Sequence, residues 1–84
     1  MAIRITKTFE TKKTVLRMDG YLNSHDVDEV DREYRSAQGS IVLDLSNLLS
    51  ADSAGLKYLR ELISLGAETR GTSPYVALLL EGKP

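Results

Sequence analysis

A period of two in the hydrophobic pattern marks the N-terminal part of the chain. Ile3 and Ile5 alternate with Arg4 and Thr6, as expected of a strand with one buried face. A second alternating segment follows after a short polar break, which predicts an antiparallel hairpin. The two strands are predicted over Ala2–Phe9 and Thr14–Gly20.

Apolar residues recur at helical spacing in two later segments. Gly39 and Gly66 follow these segments where helix C-terminal caps are expected. The predicted helices span Asp26–Gln38, with Val27, Val30, Tyr34 and Ala37 inward, and Ala54–Leu65, with Leu56, Leu59, Leu62 and Ile63 inward.

Two continuous apolar runs, Ile41–Leu45 and Tyr75–Leu80, predict strands that are covered on both faces. Ser46–Asp52, between the first of these runs and the second helix, is predicted to be a loop. The resulting order is β-β-α-β-α-β. Crossovers through helices predict parallel pairing around Ile41–Leu45 with right-handed connections. The expected fold class is therefore α/β, with a small mixed sheet in a single domain over residues 1–84.

Composition excludes several kinds of partner and site. The 84 residues carry 11 basic and 12 acidic side chains, a balance that argues against nucleic-acid binding. The absence of cysteine excludes disulfides and thiolate metal sites, and the single histidine excludes a histidine-rich one. No segment approaches the roughly 20 apolar residues of a membrane helix, so membrane insertion is not expected.

The sequence also lacks the arrangements of residues that support catalysis. His25 is the only candidate base and is expected to be a solvated loop residue. The acidic cluster Asp26–Asp31 fits a solvated helix face, and no glycine-rich phosphate loop is present. We therefore expect no enzyme activity, no cofactor and no metal. The four tyrosines are expected in the core or at its rim, although Tyr58 near the start of the second helix also suits a partner surface.

The segment that leads into the second helix has the most specific pattern. An apolar strand runs through a loop into Asp52, Ser53, Ala54, Gly55 and Leu56. Ser53 is placed to cap the helix N-terminus. Gly55 costs up to about 1 kcal/mol of helix propensity. A glycine there is explained if a backbone or a partner must approach closely.

This stretch, IVLDLSNLLSADSAGL, resembles the STAS family of anti-sigma-factor antagonist domains. The family pattern is an apolar strand ending L-D-L, a short loop, and D-S-x-G-L opening a helix. The hairpin, Gly20, the acidic first helix and the final apolar run follow in the family's order. The resemblance implies a STAS-like fold and regulatory phosphorylation at Ser53; Ser50 is a poorer match to the motif. Together with position near the helix start, it predicts a partner-binding surface formed by Asp52, Ser53, Ala54, Gly55, Lys57 and Tyr58.

The resemblance also implies the partners. The unphosphorylated domain would bind an anti-sigma factor that is a serine kinase of the histidine-kinase-like ATPase type, and so release a sigma factor in the bacterial cytoplasm. Phosphorylation would end this binding and a serine phosphatase would restore it. A phosphate adds about −1.5 to −2 charge, so the switch is expected to act at the interface rather than by unfolding.

One departure from the family keeps a second interpretation open. STAS domains commonly continue from the last strand into a further helix, whereas this sequence stops at Pro84. An uncovered part of the sheet predicts a homodimer or a larger assembly. The alternative function is a scaffold or regulatory subunit, in a stressosome-like complex or a membrane lipid transporter.

Overall fold

A computed structural model describes residues 3–81 of the chain; Ala2 of the predicted first strand, and residues 82–84, lie outside this range. A 3-10 turn, Ser24–Asp26, precedes the first α-helix. The elements in order are β1 (Arg4–Glu10), β2 (Lys13–Leu22), α1 (Val27–Ser36), β3 (Ser40–Asp44), β4 (Leu48–Ala51), α2 (Ser53–Ser64), β5 (Glu68–Arg70) and α3 (Pro74–Glu81).

The sheet is mixed and is organised around β2. Its order is β1-β2-β3-β5, with β1 antiparallel to β2 and with β3 parallel to both β2 and β5. The shorter β4 runs parallel to the last part of β2, where Leu48 pairs with Gly20 and Ala51 with Leu22. The predicted hairpin and the parallel pairing around Ile41–Leu45 are confirmed.

The main core lies between one face of the sheet and the helices. Leu16 and Leu43 are paired neighbours on β2 and β3 and are fully buried. Val30 of α1 and Leu59 of α2 are also fully buried and belong to the same cluster. Gly66 follows α2 with a φ of 109°, and the amides of Gly66 and Ala67 donate to the carbonyls of Ile63 and Leu62, which ends the helix as predicted.

Besides small shifts at the ends of elements, a predicted loop and a predicted helix cap differ from the structure. The segment expected to be a loop, Ser46–Asp52, contains β4, because its main chain pairs with the end of β2. The first helix ends at Ser36, and Gly39 lies beyond it, next to the carbonyl of Lys12 in the turn into β3. Gly39 is therefore not the helix cap.

The prediction that Tyr75–Leu80 forms a strand is wrong. Ser73 caps a helix there: its carbonyl accepts from the amide of Ala77 at 2.9 Å, and its hydroxyl accepts from the amide of Val76 at 3.2 Å. Pro74 occupies the first helical position, where a missing amide hydrogen is harmless. Ala and Leu are strong helix formers. The strand that completes the sheet is instead the polar β5.

The expected lack of a C-terminal helix is therefore also wrong. α3 contacts β4 and α2, and Val76 is fully buried. Through its contact with β4, this helix covers part of the sheet that was predicted to be uncovered. Because α3 packs there, the sheet no longer has the uncovered part from which a homodimer was predicted.

Candidate functional site at the start of α2

The residue that caps α2 is Asp52, one position before the one predicted. Asp52 has extended backbone geometry, and its Oδ1 accepts from the amide of Gly55 at 2.8 Å. Its carbonyl accepts the first helical bond from Leu56 at 2.9 Å. Ser53 is thus the first helical residue rather than the cap.

Asp52 also ties the start of α2 to the turn after β2. Its Oδ2 accepts from the amide of Ser24 at 2.9 Å, and its own amide donates to the carbonyl of Leu22 at 3.0 Å. The amides of Gly55 and Ser24 hold the pKa of the Asp52 carboxyl below its usual value. Asp52 is therefore ionised at neutral pH, and its carboxylate accepts a hydrogen bond from the amide of Gly55 in the first turn of the helix.

Ser53 projects from this end into solvent. Its side chain is exposed, as are those of Ala54 and Lys57. Lys57 lies four residues after Ser53 and so occupies the same face of the helix. Ser24 and His25 of the neighbouring turn are exposed as well. We call this set the α2-start surface; it consists of Ser24, His25, Asp52, Ser53, Ala54 and Lys57.

Gly55, which was predicted to belong to the partner-binding surface, is buried. A Cβ built on Gly55 would lie 2.5 Å from the carbonyl oxygen of Leu22. The residue is buried, and the close approach inferred from the sequence is that of the chain's own backbone. Gly55 lets α2 pack against the end of β2, next to the position of Ser53.

Tyr58, also predicted to belong to the partner-binding surface, is packed inside the fold. Its side chain is buried, and its hydroxyl donates to Oδ1 of Asp31 at 2.9 Å. Burial, followed by this hydrogen bond, raises the pKa of the Tyr58 phenol. Nε of Arg35 donates to the other oxygen of Asp31 at 2.6 Å. The network joins α2 to α1 and fixes the orientation of the helix that carries Ser53.

Sequence reasoning missed Ser24 and His25 as members of the surface. Ser24 lies 28 residues before Asp52 in the chain, and a long-range hydrogen bond to the Asp52 carboxylate brings its turn to the start of α2. No local pattern reports such a bond. Across residues 3–81, no cluster of three or more metal-ligating side chains is formed, and none of the helices is long and apolar enough to cross a membrane.

Similar proteins are found by comparing structures and not by comparing sequences. No protein-family model matches the sequence, and no curated protein matches it significantly. Among solved structures, the anti-sigma factor antagonist SpoIIAA in its unphosphorylated form is similar with a TM-score of 0.68 and 20% identity, over 96% of this chain and 84% of that one. The phosphorylated form of SpoIIAA, a Bacillus cell fate determinant, gives a TM-score of 0.62 and 22% identity over 93% and 81%.

A third structure extends the same comparison. The STAS domain of an antisigma-factor antagonist from Rhodobacter sphaeroides has a TM-score of 0.63 and 20% identity, over 87% of this chain and 94% of that one. The chain therefore has the fold of a STAS domain. At 20–22% identity, the similarity shows the fold and does not assign a role to any residue.

Proposed function

We propose that this protein is an anti-sigma-factor antagonist that binds a serine kinase through the α2-start surface and is released when Ser53 is phosphorylated. The observation that carries the proposal is the solvent-exposed hydroxyl of Ser53 at a helix start whose cap is already filled by Asp52. The SpoIIAA-like fold supports the same role.

The proposed cycle consists of two reactions at one oxygen. The kinase transfers the γ-phosphoryl group of ATP to Oγ of Ser53, with loss of the hydroxyl proton and release of ADP. A serine phosphatase hydrolyses the ester to serine and inorganic phosphate. The protein contributes an accessible acceptor, and we expect the kinase and phosphatase to contribute the catalytic groups, in the cytoplasm of a bacterium.

We expect a phosphate on Ser53 to leave the fold unchanged. The amide of Gly55 is already bound by Asp52, so the phosphate would stay outside rather than replace the cap. Repulsion from Asp52 is offset by the helix dipole and by Lys57, which are each worth a few tenths of a kcal/mol to about 1 kcal/mol at an exposed site. The effect of the charge should therefore fall on whatever packs against the surface.

The same charge has a large effect on an interface. Burying an unpaired charge costs several kcal/mol, and each 1.4 kcal/mol weakens binding tenfold. Phosphorylation should thus lower the affinity by about a hundredfold or more, while the free protein keeps its stability.

Binding of candidate kinases by calorimetry, for the wild type, Ser53→Ala and Ser53→Asp, tests this proposal. Ser53→Ala should retain binding and should no longer accept phosphate. Ser53→Asp should bind about tenfold more weakly, because one charge is placed where the phosphate would add nearly two.

Ser64 provides a matched control, since it is an exposed serine at the opposite end of the same helix. Ser64→Asp should leave kinase binding unchanged. Equal affinities for the wild type, Ser53→Ala and Ser53→Asp would contradict the switch and favour the scaffold or transporter-subunit function.

A further inference from the structure

The strand β1 forms an outer edge of the sheet. It pairs with β2 on one side, from Arg4 opposite Asp19 to Glu10 opposite Lys13. The other side of β1 carries main-chain amides and carbonyls that have no strand beside them among residues 3–81. Such an edge is a template for pairing with another strand.

The sequence of β1 is complementary to itself when it is reversed about Lys7. In an antiparallel pair, residues opposite each other have the same main-chain orientation and put their side chains on the same face. A second copy related by a twofold axis at Lys7 meets both conditions over the whole strand. The pairing would set Arg4 opposite Glu10, Ile5 opposite Phe9, and Thr6 opposite Thr8 of the second copy.

Each of these pairs is of a kind that stabilises a sheet: opposite charges, an aromatic ring with a β-branched residue, and two threonines. The guanidinium of Arg4 forms no ion pair within residues 3–81. Glu10 has only a long contact, 3.7 Å from Nη2 of Arg70. The charged pair at each end of the strand is therefore available to a second copy.

Phe9 supplies the apolar part of this edge. Its side chain is 59% exposed, although it points to the helix side of the sheet, where it lines a groove of about 270 Å³ with Thr14 and Ala37. Ile5 of the second copy would lie against the ring at this groove. Pairing would thus cover one of the most exposed large apolar side chains of the protein.

Lys7 lies on the twofold axis, where two like charges would repel each other. Its ammonium group is held toward α1, 3.0 Å from Glu33 Oε1 and 2.8 Å from Ser36 Oγ. This ion pair neutralises Lys7 and draws it away from the axis. Repulsion between the two Lys7 side chains should therefore not prevent two copies of β1 from pairing.

From these observations we propose that the chain forms a twofold dimer by antiparallel pairing of β1 with β1 of a second copy. The interface shares no residue with the α2-start surface. The dimer is independent of the function proposed for Ser53, and either one stands if the other fails.

Charge reversal tests the register directly. Sedimentation equilibrium of the full chain from about 1 μM to about 1 mM should show a reversible monomer–dimer equilibrium. Glu10→Arg and Arg4→Glu should each raise the dissociation constant about tenfold, since two attractive pairs become two repulsive ones. The double variant, Arg4→Glu with Glu10→Arg, should restore the wild-type value.

Two further variants serve as a control for the change of charge and as a test of the apolar contact. Glu61→Arg, the same change of charge on the exposed side of α2, should leave the dimer intact. Phe9→Glu should weaken the dimer with little loss of thermal stability, because the ring is exposed in the single chain. A monomer at all concentrations, a dimer that ignores reversal at Arg4 and Glu10, or failure of the double variant to restore dimerisation would overturn the proposal.

Discussion

The central residue of this structure is Asp52, since its two carboxylate oxygens hold the start of α2, where Ser53 lies. One oxygen caps α2 through Gly55, and the other holds the turn at Ser24. The sequence predicts a polar cap at this place but not which of two adjacent residues provides it, because Asp and Ser are equally good caps. The bond to Ser24 decides in favour of Asp52.

Replacing Asp52 by Ala should lower the melting temperature by about 4–8 °C at pH 7, since a helix cap and a turn contact are lost together. The folded-state pKa of Asp52 is depressed, so its contribution is present above the unfolded pKa of about 3.9. It is lost as the pH falls through the lower folded pKa.

The difference in melting temperature between the wild type and Asp52→Ala should therefore shrink below about pH 4. Thermal unfolding followed by circular dichroism from neutral to acidic pH measures it, with Glu61→Ala as an exposed carboxylate control on the same helix. A difference that is constant with pH would show that the ionised carboxylate is not what holds the cap.

At Gly55 the sequence predicts a close contact but does not identify the group that makes it. Its low helix propensity predicts a close approach, while only the structure identifies the neighbour as the carbonyl of Leu22. Gly55→Ala should reduce the free energy of unfolding by about 1–3 kcal/mol despite the better helix former, because backbone must move. Urea unfolding measures this loss. Lys57→Ala, at an exposed position of α2, should change stability by less than about 0.5 kcal/mol.

Among the elements, α3 is where sequence reasoning failed. A continuous apolar run does not distinguish a buried strand from a buried helix. The decisive signal is the dipeptide Ser73-Pro74, which caps and starts a helix. By contrast, the hairpin, α1 and α2 have clear periodicity and were predictable to within a few residues. The apolar run Ile41–Leu45 was correctly predicted as a strand, and it is shorter than a typical helix. The short β4 and β5 are polar or brief and depend on pairing with strands far away in the chain.

Two substitutions distinguish a helix from a strand at this segment. In a strand, residues 76 and 78 would share one face. In α3, Val76 is fully buried and Leu78 is 67% exposed. Val76→Lys should severely destabilise the protein, whereas Leu78→Lys should alter stability by no more than about 0.5 kcal/mol. Thermal unfolding of both variants is the measurement, and equal damage from the two would contradict the helix.

On the scale of the whole molecule, β2 connects the two surfaces to which we assign functions. Along most of its length β2 pairs with β1, whose outer edge is proposed to bind a second copy. Its last residues pair with β4, and the carbonyl of Leu22 receives the amide of Asp52 at the start of α2. One strand therefore lies next to both the edge that we propose to bind a second copy and the helix end that we propose to be phosphorylated.

The central claim is that a charge on Ser53 acts on a partner and not on the fold. Its most direct test is protein carrying phosphoserine at position 53, compared with unmodified protein in two assays: urea unfolding of the free chain and binding to the kinase that modifies it. We predict a change in unfolding free energy of less than about 1 kcal/mol and a loss of affinity of about a hundredfold or more. Unchanged affinity, or a weakened fold that accounts for the whole loss of binding, would contradict the account.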